Sequence, residues 1–189
     1  LTDFLDWLHR TGPLHWVETD KADPRCVRLA DRHYSRQTPG SPFFTRPGFN
    51  FTLYACDDFG EAVFNWWRGI RDDGVNAIEC TMFRNESRLL SSTLIEQAVS
   101  ALQCWKHACP AKVITSVSSE ATAGRRSRRN RPGHCFRVAG WVDFDHAPGF
   151  ADTWLICERF PAPRRVRYEP RGQLDIFGGR QNRLASVAA

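Results

Sequence analysis

The stretch Glu79-Cys80-Thr81-Met82-Phe83-Arg84-Asn85-Glu86-Ser87, together with the residues from Arg88 to Trp141, decides the fold of this chain. Residues 75–83 carry apolar side chains at Val75, Ala77, Ile78, Cys80 and Met82, which predicts a largely buried strand. Arg84-Asn85-Glu86-Ser87 then interrupts it with polar residues, an unusual composition for a plain turn. Leu94, Ile95, Ala98, Val99, Leu102 and Trp105 make one apolar face and predict a helix ending near Pro110. Ser91, Ser92 or Thr93 is its expected N-cap, with Thr93 and Glu96 spaced as a capping box. Residues 112–117 read as a short β-branched strand. An arginine-rich loop comes next, and residues 134–139 suit a short helix closed by Gly140.

Working outward, residues 2–9 place Phe4, Leu5, Trp7 and Leu8 in a helical pattern that Gly12-Pro13 stops. Asp23-Pro24 opens a second helix, since proline lacks an N–H that the first turn would leave unbonded anyway. It is expected to run through Val27, Leu29 and Ala30 to about His33-Tyr34. Residues 37–48 hold three prolines and two glycines and read as a long loop. Residues 49–56 and 61–68 read as antiparallel strands around the Asp57-Asp58-Phe59-Gly60 turn, and Asp72-Asp73-Gly74 marks another turn. Residues 141–144 and 153–158 predict a final hairpin. Beyond Phe160 the composition shifts to Pro, Arg and Gly, so residues 1–160 are expected as one domain and 161–189 as an extended tail.

The 189 residues, 42% hydrophobic and 25% charged, suit one domain with a real core. No apolar run approaches the roughly 20 residues of a membrane helix, and the first residues do not resemble a secretory signal. A cytoplasmic protein is the expectation. Met82 is the only methionine, so the N-terminus is expected to be trimmed or incomplete. Seven scattered cysteines without a C-x-x-C pair argue for reduced thiols, several in core strands, rather than a disulfide framework or zinc ribbon. Cys104, His107 and Cys109 straddle a helix end and make a poor metal site.

Charge is unevenly distributed. Residues 1–120 hold 13 Lys+Arg against 15 Asp+Glu, a net −2, whereas residues 121–189 hold 13 against 6, a net +7. Arg125, Arg126, Arg128, Arg129 and Arg131, then Arg164, Arg165, Arg167 and Arg171, form a footprint suited to phosphates. A solvated loop and tail would look the same.

Over roughly residues 25–160 the pattern resembles the GNAT acyltransferase superfamily, and within it the Mom-like proteins that hypermodify phage DNA bases. The matching pieces are Arg32-His33-Tyr34-Ser35, Arg84 at the end of the central strand, the helix from Ser92, and Gly133-His134-Cys135-Phe136-Arg137-Val138-Ala139-Gly140-Trp141. The resemblance implies a mixed, mostly antiparallel sheet flanked by helices, an α/β (α+β) domain. It also implies an acyl donor held after the central strand. GNAT proteins usually carry a Q/R-x-x-G-x-G/A loop there, whose glycines let backbone N–H groups approach a pyrophosphate. This chain has no glycine between Arg84 and Ser92, and Phe136 stands where the family implies a tyrosine or another aromatic. Acetyl-CoA or another acyl donor therefore stays open.

Acyl transfer to an amine needs a base, an oxyanion stabiliser and an acid. The resemblance points to His33, Tyr34 and Arg84 for catalysis, with Glu86 and Glu120 as alternative bases at strand ends. Arg84, Asn85, Ser87, Ser91 and Ser92 are the candidates for holding the donor, the two serines beside the free N–H groups of the helix start. Read without it, His33 and Tyr34 end a helix, Arg84 pairs with Glu86, and Glu86 and Glu120 are strand-end carboxylates. His134 and Cys135 are neighbours on a helix and face apart, so they do not make a nucleophile–base pair. Trp66 and Trp67 point to opposite faces of a strand, one of them available for stacking on a base.

In the tail, Gln173-Leu174-Asp175-Ile176-Phe177 closely resembles the peptide that bacterial replication proteins dock into the sliding clamp. Leu174, Ile176 and Phe177 would fill an apolar pocket, on a Pro/Arg tether. The expected function is transfer of an acyl or aminoacyl-derived group to a nucleobase amine, with the clamp and DNA as partners. Arginines 125–131 and those of the tail would hold phosphates, and residues 33–48 would wedge the base out of its stack. A conventional acetyltransferase acting on a small amine or a protein, and a non-catalytic clamp-associated DNA-binding adaptor, are the alternatives.

Overall fold

A computed structural model describes residues 16–58, 60–71, 74–103, 105, 112–123, 131–144 and 152–158. The expected helix at residues 2–9, the Cys104–His107–Cys109 trio, Arg125, Arg126, Arg128 and Arg129, and the tail with its 173–177 segment lie outside them.

The described residues form a mixed α+β fold on a seven-stranded, mostly antiparallel sheet. In chain order the strands are β1 (Val17–Thr19), β2 (Phe49–Asp57), β3 (Gly60–Arg68), β4 (Ala77–Asn85), β5 (Lys112–Ser118), β6 (Val142–Asp143) and β7 (Asp152–Ile156). In space they run β1-β2-β3-β4-β5-β7-β6. Only β4 and β5 pair in parallel, as a strand–helix–strand connection allows. The helices are α1 (Pro24–Asp31), α2 (Ser91–Leu102), α3 (Ser119–Ala123) and α4 (His134–Val138).

β2 and β3 are buried on both faces from Thr52 to Ala55 and from Ala62 to Trp67, because helices or loops cover each side of the sheet. On one face α2 buries Leu94, Ile95, Ala98, Ala101 and Leu102 against Phe51, Phe64, Trp66 and Ile78. Each large apolar side chain so buried contributes about 1.5–3 kcal/mol. Trp66 and Trp16 donate their indole N–H groups to the helical carbonyls of Ala98 and Leu94, at 3.2 and 3.3 Å. On the opposite face α1 packs Cys26, Leu29 and Ala30 onto Tyr54, Val63 and Met82, with Phe44 from the long loop completing the cluster. Trp66 and Trp67 do lie on opposite faces. Trp67 donates to the Pro47 carbonyl at 2.7 Å on the loop side.

Three local expectations need correction. The helix α1 ends at Asp31, so His33 and Tyr34 sit in the turn beyond it, with the His33 N–H bonded to the Ala30 carbonyl at 2.8 Å. The start of α1 is as expected: the Asp23 side chain caps the Arg25 N–H at 2.9 Å and Pro24 takes the first turn. The N-cap of α2 is Leu90, with no side-chain hydrogen bond, rather than Ser91, Ser92 or Thr93. Ser91 is already helical, and its hydroxyl accepts from Asn85 Nδ2 at 3.1 Å, a contact with the end of β4 that starts the helix ahead of the expected Thr93–Glu96 box. Finally, α2 ends at Leu102, and Trp105 lies past it, stacked on Phe51 at 5.7 Å.

Five cysteines among the described residues, at positions 26, 56, 80, 135 and 157, are free thiols. Among the described residues no helix is long and apolar enough to cross a membrane.

Candidate functional site

The strands β4 and β5 run side by side only from Ala77–Lys112 to Cys80–Thr115. β4 then continues to Asn85 and β5 to Ser118, so their C-terminal halves are not paired with each other. A cleft of about 560 Å³ opens there, a volume typical of small-molecule sites. Thr81, Met82 and Phe83 line it from β4, and Ser116, Val117 and Ser118 from β5. Phe136 of α4 and Ala121 of α3 line it too, while His33, Tyr34, Ser35, Gln37, Phe44, Thr45 and Arg46 come from the segment after α1.

A bulge shapes the β4 wall. Asn65 pairs with Met82 and Trp66 with Cys80, so Thr81 has no partner across the ladder. Asn65, which is fully buried, donates from Nδ2 to Thr81 Oγ1 at 2.8 Å and Asn50 Oδ1 at 3.1 Å, and its Oδ1 accepts from Thr52 at 2.8 Å. A longer bond of 3.3 Å reaches Thr45 of the loop. One buried amide therefore ties the bulge to the loop that faces it.

Glu79 lies on β4 just before the bulge, almost wholly buried, bound by the guanidinium groups of Arg46 and Arg71. Arg46 also lies over the Trp67 ring, 3.8 Å from its centroid. Cys80 lines the cleft, but complete burial pushes its thiol pKa well up, so it stays protonated and is a poor nucleophile.

His33 and Tyr34 reach the cleft together, their rings 4.2 Å apart. His33 Nδ1 and Ser35 Oγ are 2.8 Å apart. Arg84 and Glu86 stand elsewhere. Arg84 is still within β4, opposite Val63, and donates to the Arg32 carbonyl and to Glu86. Arg32 binds the same Glu86 carboxylate through Nε at 2.8 Å. The hydrogen bond from Arg32, with that from Arg84, outweighs the upward push of partial burial and holds the Glu86 carboxyl at about 2. This cluster fastens the end of α1 to the end of β4 and does not line the cleft.

Most of the residues expected to hold a donor are occupied with each other. Asn85 Oδ1 accepts from the Ser87 N–H at 2.9 Å and hydroxyl at 2.6 Å, and Asn85 Nδ2 also donates to the Leu89 carbonyl at 2.8 Å. The first bond within α2 runs from the Leu94 N–H to the Leu90 carbonyl, which leaves the N–H groups of Ser91, Ser92 and Thr93 ahead of it. Glu120 is exposed on α3. Arg131 is exposed ahead of α4. Burial raises the Cys135 thiol, and its neighbour His134 is exposed.

Sequence reasoning missed Arg46, Glu79, Thr81 and the β5 hydroxyls. Glu79 alone left a local signal, a carboxylate inside the apolar run Ala77-Ile78-Glu79-Cys80. Comparison with protein-family models, curated proteins and solved structures finds no match to this chain.

Proposed function

We propose that the chain is a GNAT-like transferase that places an acyl or aminoacyl-derived group on a nucleobase amine. The observation that carries this reading is the parting of β4 and β5 beside a bulge, with His33 and Tyr34 facing the gap. Two parallel strands that separate leave backbone groups of both edges without ladder partners, a setting suited to a donor's acyl carbonyl. The uncapped first turn of α2 follows β4 after a five-residue turn, residues 86–90, and supplies N–H groups for an anionic part of the donor. Asn85 and Ser87 fill the position of a glycine-rich loop with their own turn, which favours a donor other than acetyl-CoA.

Transfer forms a bond from the acceptor nitrogen to the acyl carbon and breaks the bond from that carbon to its carrier. The acceptor nitrogen loses a proton, and the carrier gains one. His33 and Tyr34 are the groups of suitable type in the cleft for these moves. The lining also suits a base turned out of its stack. Aromatic side chains come from Tyr34, Phe44, Phe83 and Phe136, and hydrogen-bonding ones from Gln37, Thr45, Thr81 and Ser116. In this reading the arginines of residues 125–131 and of the tail hold DNA phosphates, and Gln173–Phe177 docks the chain on the sliding clamp.

Nucleoside mass spectrometry of DNA from cells expressing the chain tests the proposal. A new nucleoside that disappears in a His33→Gln, Tyr34→Phe double variant is the expected result. Unaltered DNA, with acetyl-CoA binding indifferent to added DNA, would instead place the chain among acetyltransferases of small amines or proteins.

A further inference from the structure

We infer that Arg46 is a phosphate-reading group of the acceptor half of the cleft, gripping the phosphodiester beside the target base. The identity of the anion rests on the nucleobase-transfer reading above. The geometry that prepares Arg46 does not.

Arg46 sits on the long loop and lines the cleft with its side chain about half exposed, 48%. Three contacts fix it before any ligand arrives. Its guanidinium stacks 3.8 Å from the Trp67 ring centroid, and one nitrogen, Nη2, binds Glu79. Its backbone carbonyl accepts from Asn50 Nδ2 at 3.4 Å, in a bond shared with the Gly48 carbonyl at 3.0 Å. The indole beneath it is fixed as well. Trp67 donates to Pro47, and a Cβ at Gly48, whose φ is +134°, would lie 2.5 Å from Trp67 Nε1. Only glycine lets the loop close this tightly on the ring.

The two guanidinium groups on Glu79 are not equivalent. Arg71 is the inner one, its side chain only 7% exposed, and Arg46 is the outer one, at the cleft. Nε and Nη1 of Arg46 take no hydrogen-bond partner among the described residues. Nη2 has a second N–H beside the one on Glu79, so one edge of the planar guanidinium fork, Nη2 with Nε or with Nη1, is left to bind a phosphate with two bonds, held still by the stacking. Lysine would provide the charge without the fork.

A phosphate could arrive on the acceptor or on the donor, and binding assays separate the two. A fluorescent single-stranded oligonucleotide of mixed sequence is titrated with the full chain at several salt concentrations, and acetyl-CoA is titrated separately. Arg46→Ala should weaken the oligonucleotide about 10- to 100-fold, as loss of a charge-assisted bond pair does. It should also flatten the salt dependence by about 0.7, the share of one phosphate on a single strand. Arg46→Lys should restore the salt slope but only part of the affinity. Arg28→Ala, at the exposed pair with Glu61 away from the cleft, should leave the slope unchanged. Glu79 keeps Arg71 in both Arg46 variants, and cooperative melting within several degrees of the parent confirms that they fold.

An Arg46→Ala variant that binds the oligonucleotide as the parent does, or a parent that does not bind it, overturns the inference. So does a loss confined to acetyl-CoA, which would assign Arg46 to the donor. The transfer reading is judged separately by the nucleoside assay. A parent that makes no new nucleoside yet loses oligonucleotide affinity on Arg46→Ala refutes that reading and keeps the phosphate site. New nucleoside from an Arg46→Ala variant with parental affinity does the reverse.

Discussion

Thr115 donates its hydroxyl to the carbonyl of Cys80 at 3.1 Å, across the last residue pair at which β4 and β5 run together. Both residues are buried, Thr115 to 2% exposure. The bond pins the strands at the point where they begin to part, and so fixes the floor of the cleft.

Thr115→Val keeps the shape of the side chain and removes the donor. The expected cost is about 1 kcal/mol, or roughly 2–4 °C in melting temperature for a chain of this size. Thermal melting followed by circular dichroism checks it, and an unchanged midpoint would mean that the strands part independently of this bond.

Asn65→Ala removes the hub between the Thr81 bulge and the loop at Thr45. Thr52, only 1% exposed, then loses its acceptor. A loss of about 3 kcal/mol is expected from several broken buried bonds. Denaturant titration measures it, and a loss below about 1 kcal/mol, the worth of a single bond, would show that the bulge holds by itself.

Glu86→Gln probes the Arg32–Glu86–Arg84 cluster through pH. The folded carboxyl titrates at about 2, below its ordinary value of 4.5, mainly because Arg32 and Arg84 bind the ionised form. A depressed carboxylate stabilises the fold above its unfolded pKa, and that stability is lost as pH falls from about 4.5 through about 2. The parent should therefore be the more stable protein at neutral pH, with the gap closing across that window. Melting curves from neutral pH down to about pH 2 check the sign; a gap that widens in acid contradicts it.

His33→Gln and Tyr34→Phe separate chemistry from packing. Under the proposed transfer, each should lower turnover by about 10²- to 10⁴-fold if it moves a proton. Melting temperatures should shift by no more than a few degrees, since both residues lie outside the helix and are only half-buried. Full turnover in both single variants would remove them from the reaction.

Much of the secondary structure was legible because its causes are local. Asp23-Pro24 fixed the start of α1, the Asp57-Asp58 turn joined β2 to β3, and Gly140, at φ 84°, closed the turn after α4. The short strand β1 escaped notice, since three residues carry too little periodicity and its place depends on pairing with β2. The N-cap of α2 was misassigned because Asn85, six residues upstream, engages Ser91. For the site, His33 and Tyr34 were named from the sequence and do line the cleft. Arg84 and Glu86, named with them, are spent on Arg32 and on each other.

The sequence by itself determined most of the strands and helices and their order, because apolar period, capping and turn chemistry act over a few residues. Only the tertiary structure decided where β4 and β5 part, which residue bulges, and that Glu79 meets Arg46 and Arg71. Arg46 lies 33 residues from Glu79, and Thr115 lies 35 from Cys80. No local rule reaches across such gaps. Burial makes these pairs decisive: an amide or carboxylate taken out of water must find its partners wherever the fold brings them.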